Sequence, residues 1–408
     1  MLVGCESMND QLTSNAKRLM LIHNSNGALR IMISTFLSIF LFQKAGYEPL
    51  VIFNVILYCV MPLSFYILSK YVNQKRLLDV YRIGIFFCFL FSIFLVVFQK
   101  ELARHIVFVA ILYGISSGLY WYAYDISTYH FNNLDQRIRY LGYSKAIDKV
   151  VNIITPITLG SLITMGSYHY VFIIMTILTA FLFLLSLSLH MPTSNIKKVQ
   201  LKEYEKKVRD SKDLKRLYRI AFVEGFSGKA LTDMVFPILI FLAFQSEFSL
   251  GSLNSIFAMI SAIVSYILGK KILGDKMMKM TAFSLIGLAC SSIIYLFTLS
   301  PTTVILYNIC YYLLNPLREY GYSHYAYNMI DIENLSSYST EHFVLREFVL
   351  DMGRVCSFLI VFFVLVFAQD QAIYYQLLVC ILTMPTLAIL YDLVKVEAHV
   401  QEVLKKRK

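Results

Sequence analysis

The sequence is 408 residues long, 58% hydrophobic and 15% aromatic, with only 15% charged residues and a formal net charge of +11. Soluble domains carry roughly 25% charged residues, so this composition excludes an ordinary soluble enzyme or binding module. The basic excess is concentrated in alternate hydrophilic loops, which is the pattern of membrane topology and argues against a nucleic-acid partner.

Residues 1–23 are polar and mixed in charge and lack the basic-then-apolar run and small-residue cleavage site of a secretory signal, so the first apolar stretch is expected to be retained. Apolar segments then follow at 25–43, 49–69, 83–99, 106–130, 142–166 and 169–190. After a hydrophilic interval, six more lie at 218–243, 249–270, 280–299, 302–329, 344–369 and 372–393. At about 1.5 Å per residue, some twenty residues of helix cross a hydrocarbon core of about 30 Å. The predicted fold class is therefore an all-α polytopic membrane protein of about twelve transmembrane helices.

The interval divides the segments six and six and predicts three parts: an N-terminal half (1–190), a basic linker (191–217) and a C-terminal half with a basic tail (218–408). Ten Lys or Arg fall between Lys197 and Arg219, and Lys70, Lys75, Arg76, Arg82, Arg137, Arg139, Lys270 and Lys271 lie in loops on the same predicted side. The opposite loops hold Lys44, Lys100 and Arg104. The positive-inside rule then places both termini in the cytoplasm of a cell (plasma) membrane, with the linker against anionic lipid headgroups. The seven cysteines are scattered, without CxxC or a nearby His at ligand spacing, so no disulfide, metal or cofactor is expected.

The halves share an internal repeat. Tyr122-Ala123-Tyr124-Asp125 matches Tyr325-Ala326-Tyr327-Asn328 at an offset of 203 residues, and the same offset carries Asp148 onto Asp351. Corresponding segments run in the same direction, so the repeat is parallel, about an axis along the membrane normal.

With six plus six helices, a basic central linker and parallel half-repeats, the chain resembles the major facilitator superfamily (MFS) over its full length. The loop after the second segment reads Leu68-Ser69-Lys70-Tyr71-Val72-Asn73-Gln74-Lys75-Arg76, keeping the basic pair of that family's loop motif without its Asp and glycines. The fifth segment reads Thr155-Pro156-Ile157-Thr158-Leu159-Gly160 where antiporters carry Gly-Pro-x-x-Gly-Gly. The resemblance implies two pseudo-symmetric six-helix bundles, a monomer, alternating access, and outer support roles for helices three, six, nine and twelve. Segments three, six and nine do lack central charges.

A charge inside the bilayer must face a partner, a cavity or water. Asn26 and Arg30 share a face of segment one; Trp121, Tyr124 and Asp125 lie in segment four; Lys229, Arg318 and Tyr325 complete the predicted substrate-binding set. Asp233, Glu319 and Glu224 are the predicted proton-coupling carboxylates. Lys145, Asp148, Glu347, Asp351 and Arg354 form stripes in segments five and eleven, predicted to gate the linker-side entrance. Asp148 and Asp351 are expected to meet near the axis. Each of these residues also has a purely structural reading, as a buried ion pair or packing aromatic.

The expected function is proton-coupled export of an amphipathic small molecule or drug. Two alternatives on the same fold are a lipid-linked headgroup flippase and a non-transporting sensor or assembly protein. HExxH, GxSxG and a paired-Asp motif are absent from the sequence, so an enzyme is the weakest of these readings.

Overall fold

The structure is a computed structural model that describes residues 13–71, 76–130, 134–190, 199–270, 277–297, 300–332, 338–366 and 372–407. The described residues contain helices and no strand. This follows from the bilayer, where every backbone N–H and C=O must be satisfied within its own segment.

In the N-terminal half these helices are α1 (Ser14–Ala45), α2 (Tyr47–Tyr71), α3 (Leu77–Val97), α4 (Ile106–His130), α5 (Leu134–Met165) and α6 (Tyr168–Leu187). A short helix, α7 (Leu201–Asp210), lies in the linker. The C-terminal half holds α8 (Lys212–Phe244), α9 (Glu247–Lys270), α10 (Met277–Tyr295), α11 (Pro301–Ile332) and α12 (Ser339–Val366). It ends in α13 (Ala372–Thr383) and α14 (Thr386–Arg407), which together make its last span.

Ten spans among the described residues are long and apolar enough to cross a membrane, and Met277–Ile293 is a shorter apolar helix. The 32-residue α11 is also long enough to cross, giving the expected twelve. Ile177, Phe181 and Leu184 of α6 are exposed in a row, a face suited to lipid.

The first helix begins earlier than its apolar run predicts. The Thr13 side chain caps it by accepting from Ala16 N at 3.2 Å, and its polar first turns are anchored sideways. Asn15 Nδ2 donates to His190 O at 2.8 Å and Arg18 Nη1 to Ser188 O at 2.7 Å, while Arg82 donates to the carbonyls of Ser186, Leu187 and Leu189. These donors satisfy the orphan carbonyls at the end of α6.

Arg219 and Asp392 pair, joining the start of α8 to α14, so α14, the start of α8 and the α7 that precedes it share one face, hereafter the linker face. There α7 docks on the C-terminal half. The Tyr204 and Tyr218 hydroxyls each lie 3.0 Å from His342 Nδ1, and Gln200 N donates to Glu341 Oε1 at 2.7 Å.

The two halves meet symmetrically. Span two packs on span eleven (α2 on α12) and span five on span eight (α5 on α9). Gly160 of α5 and Gly251 of α9 let the second pair approach closely: a Cβ on Gly160 would lie 2.6 Å from Glu247 O and 3.2 Å from Gly251 Cα. The first span of each half is interrupted by a π-helical segment, Met32–Leu37 in α1 and Leu231–Val235 in α8, and these two segments touch. Within and just beyond them Phe36, Phe40, Leu41, Phe236, Ile238 and Ile240 are each at most 2% exposed, and Ser38–Ala45 touches Phe236–Phe244, which seals the space between the halves on the face opposite the linker. Gln43 Nε2 donates to Glu247 Oε1 at 2.8 Å across that seal.

Candidate functional site

Below the seal lies a cavity of about 420 Å³, within the range of small-molecule sites. Its walls come from α1 (Arg30, Ile33, Ser34, Ser38), α2 (Phe53, Asn54, Leu57, Tyr58, Met61), α4 (Tyr113, Ser117, Trp121, Asp125), α8 (Lys229, Asp233) and α12 (Arg346, Glu347, Arg354). Among the described residues α3, α5–α7, α9–α11, α13 and α14 contribute no lining residue, so the wall comes from five helices.

On the N-terminal wall, Arg30 Nη2 lies 3.4 Å from Asp148 Oδ1, and Asn152 Nδ2 donates to Asp148 Oδ2 at 3.0 Å. The Arg30 guanidinium also stands 5.2 Å from the centre of the Trp121 ring, a cation–π contact of about 0.5–2 kcal/mol. Asn26 lies behind it, lining a small void of about 20 Å³ together with Arg30 and Trp121. Tyr124 is turned away from the cavity: its ring stacks on His23 at 3.8 Å, and His23 Nδ1 lies 3.0 Å from the Tyr120 hydroxyl.

On the C-terminal wall, Lys229 Nζ lies 3.3 Å from Asp233 Oδ2, and the Thr232 hydroxyl donates to Asp233 Oδ1 at 2.8 Å. Asp233 sits within the π segment. Such an irregular turn opens the backbone hydrogen-bond ladder and recurs at functional sites. Arg354 Nη1 contacts Glu347 Oε1 at 3.2 Å and Asp351 Oδ1 at 2.5 Å, and its guanidinium lies 5.0 Å from the Tyr58 ring of the other half.

The predicted residues therefore divide by place. Arg30, Trp121, Asp125, Lys229, Asp233, Glu347 and Arg354 share the one cavity. Arg318 does not line it; its side chain, 4% exposed, is paired with Glu224 at 3.5 Å between α11 and α8. Glu319, one residue on, is exposed and accepts from Asn315 Nδ2 at 2.8 Å. Lys145 is exposed, and the side chain of Tyr325 lies outside the described residues.

Asp148 and Asp351 each bind a cation of their own half, Arg30 and Arg354, and no contact joins them among the described residues. The α5–α9 seam is crossed instead by Lys149 Nζ, 3.4 Å from Ser261 Oγ. Sequence reasoning missed Tyr58, Tyr113 and Asn54 as lining residues, and His23 behind them. His23 precedes Asn26 and Arg30 by three and seven residues, a one-face helical spacing that could have marked it.

A family model described as Major Facilitator Superfamily matches residues 19–325. The chain belongs to this superfamily. The MFS assignment is matched by fold: the nucleoside transporter NupG superposes with a TM-score of 0.70 at 14% identity, covering 94% of this chain and 99% of that one. A D-xylose-proton symporter gives a TM-score of 0.67 at 10% identity, covering 91% and 97%.

Among curated proteins, the uncharacterized protein YqgE of Bacillus subtilis (strain 168) is 21% identical over 332 residues, 80% of this chain and 77% of YqgE. An uncharacterized protein in the sodM 3'region of Geobacillus stearothermophilus is 23% identical over 154 residues, 37% of this chain and 72% of its own length. The MFS fold makes this chain an integral membrane protein and a secondary transporter of small molecules, not an enzyme.

Proposed function

We propose that this transporter couples proton movement to export of a small amphipathic molecule through the 420 Å³ cavity, alternating its access between the two six-helix halves. The observation that carries the reading is Asp233. It is a carboxylate on the cavity wall, held by Lys229 and Thr232 in the π segment that touches its counterpart in α1. Protonation would remove the partner of Lys229 and change the charge seen by a substrate at the point where the halves meet.

A cationic substrate group and a proton would then compete for one carboxylate, and that competition is the simplest form of coupling. Glu224, already paired with buried Arg318, and Glu319, exposed and bonded to Asn315, are second choices. Arg354, which ties Glu347 and Asp351 on α12 and faces Tyr58 of α2, is the central member of the gating set; Lys145 and Asp148 act from α5. The linker face is the cytoplasmic one on this reading, in a plasma membrane, with basic linker residues near anionic headgroups.

The test uses everted vesicles carrying the protein, a trapped pH-sensitive dye and a compound panel. Compounds that trigger proton release with wild type should fail to do so with Asp233→Asn, whereas Glu319→Gln should behave as wild type. Undiminished compound-driven proton movement in Asp233→Asn would remove Asp233 from the coupling step.

A further inference from the structure

The geometry points to a zwitterion as the transported species, its anionic group held by Arg30 of the N-terminal half and its cationic group by Asp233 of the C-terminal half. This rests on the transporter reading and specifies the chemistry of the same cavity.

Arg30 and Asp233 are separated by 203 residues, the offset of the internal repeat, so they occupy equivalent places in α1 and α8. Both line the cavity, next to or within the paired π segments. Equivalent positions in two halves related by an axis along the membrane normal face each other across it. One side of this pair is positive and the other negative. A ligand spanning them must carry both charges, in the opposite order.

The ion pair of each is long. Arg30 meets Asp148 at 3.4 Å and Lys229 meets Asp233 Oδ2 at 3.3 Å, beyond the ~2.7–2.9 Å of a strong charge-assisted hydrogen bond, while Asp233 Oδ1 keeps the Thr232 hydroxyl at 2.8 Å. The second terminal nitrogen of Arg30, Nη1, is buried without an acceptor. A carboxylate or phosphonate-like anion could accept from both Arg30 nitrogens, the two-pronged geometry a guanidinium favours. The Trp121 face fixes the plane of that guanidinium.

The partners that a ligand would displace, Asp148 and Lys229, each belong to the same half as the residue they release. Binding therefore exchanges two contacts within halves for one bridge between halves that runs through the ligand. A zwitterion also adds no net charge to a low-dielectric cavity, whereas a simple anion or cation adds a charge and engages only one half. The π-segment contact is where such a bridge would act on rocking.

The experiment measures thermal stabilisation of purified full-length protein by a panel of matched trios. Each trio is an amino acid or betaine-type zwitterion, its carboxamide or ester (cation only) and its N-acyl or deamino form (anion only), with uncharged compounds of similar size added. The expected result is that the strongest stabilisers are zwitterions and that both single-charge analogues bind at least tenfold more weakly.

Arg30→Gln should weaken the best zwitterion at least tenfold while weakening its cation-only analogue little, and Asp233→Asn should do the converse. Arg30→Lys, which keeps the charge and loses the fork, should fall between and controls for folding. A best ligand that is uncharged or singly charged would overturn the proposal. So would a zwitterion bound equally by wild type, Arg30→Gln and Asp233→Asn. Absence of any ligand across all classes, with proton movement also absent in the vesicle assay, would count against the transporter reading itself.

Discussion

Gly160→Ala should act as a wedge between the halves and open the cavity on the face opposite the linker. The added Cβ would sit 2.6 Å from Glu247 O, against an ordinary contact of 3.4 Å or more, so α5 and α9 must part there by about 0.8 Å. Glu247 is also the residue that Gln43 bonds across the seal. Overpacking of this kind costs about 1–3 kcal/mol. The cost falls only on the conformation in which this contact is closed, so the equilibrium should move toward the open one by about 5- to 150-fold.

Ser38, which lines the cavity and is 3% exposed, serves as the reporter. With native cysteines replaced by serine, a Ser38→Cys reporter should react with a membrane-impermeant maleimide, added from that face, at least fivefold faster when Gly160→Ala is present. Gly84→Ala is the control. Its Cβ would lie 2.8 Å from Tyr120 N, between α3 and α4 of the same half, so stability should fall without faster labelling. Equal labelling in the Gly160→Ala and Gly84→Ala backgrounds, at equal loss of melting temperature, would refute the claim that this seam is the closure.

Arg318→Met alone should cost about 3–5 kcal/mol because it strands Glu224, whose side chain is 13% exposed, without its cation, while adding Glu224→Leu should restore most of that loss; unfolding in a detergent titration measures both. Tyr204→Phe removes a hydroxyl shared with His342 and Tyr218, worth about 1–2 kcal/mol, and should loosen α7 so that trypsin cuts at Lys206, Lys207 and Arg209 about 5- to 30-fold faster. An unchanged digestion rate would mean that α7 is held by other contacts.

Much of the cavity was legible because a charge in an apolar run has few places to go. That rule found Arg30, Asp125, Lys229, Asp233, Glu347 and Arg354 together. The same rule failed for Arg318 and Glu224, because a cavity wall and a buried partner satisfy it equally well and only the packing of α11 on α8 decides between them. Glu319, a predicted coupling carboxylate, adjoins buried Arg318, but one residue of rotation, about 100° around the helix, carries it to an exposed face.

Tyr58 and Tyr113 left no mark in a chain with 29 tyrosines, since an aromatic in a transmembrane run suits lipid, packing or cavity alike, and Asn54, being uncharged, was passed over by the rule for charges. The π segments were invisible for a different reason. They alter the hydrogen-bond register without needing any distinctive residue, and MISTFL and LTDMV read as ordinary helix. The long polar start of α1 escaped hydropathy because polar residues break up its apolar ones, of which Ala16, Leu19 and Ile22 pack inside the protein while Asn15 and Arg18 cap α6.

The way the connecting segment is moored at its two ends bears on how far the molecule can open. On one side, Asn15, Arg18 and Arg82 clamp the chain through His190 to the first bundle. On the other, Gln200, Tyr204 and their contacts with Glu341 and His342 make α7 part of the second. Nine residues of sequence, 191–199, lie between those moorings, against the 27 residues of hydrophilic sequence that separate the apolar segments. Ten residue steps from His190 to Gln200 reach at most about 36 Å. That length sets a ceiling on the separation of the bundles on this face, and deleting residues between the moorings one by one should stall the transport cycle at a definite length while leaving each bundle folded.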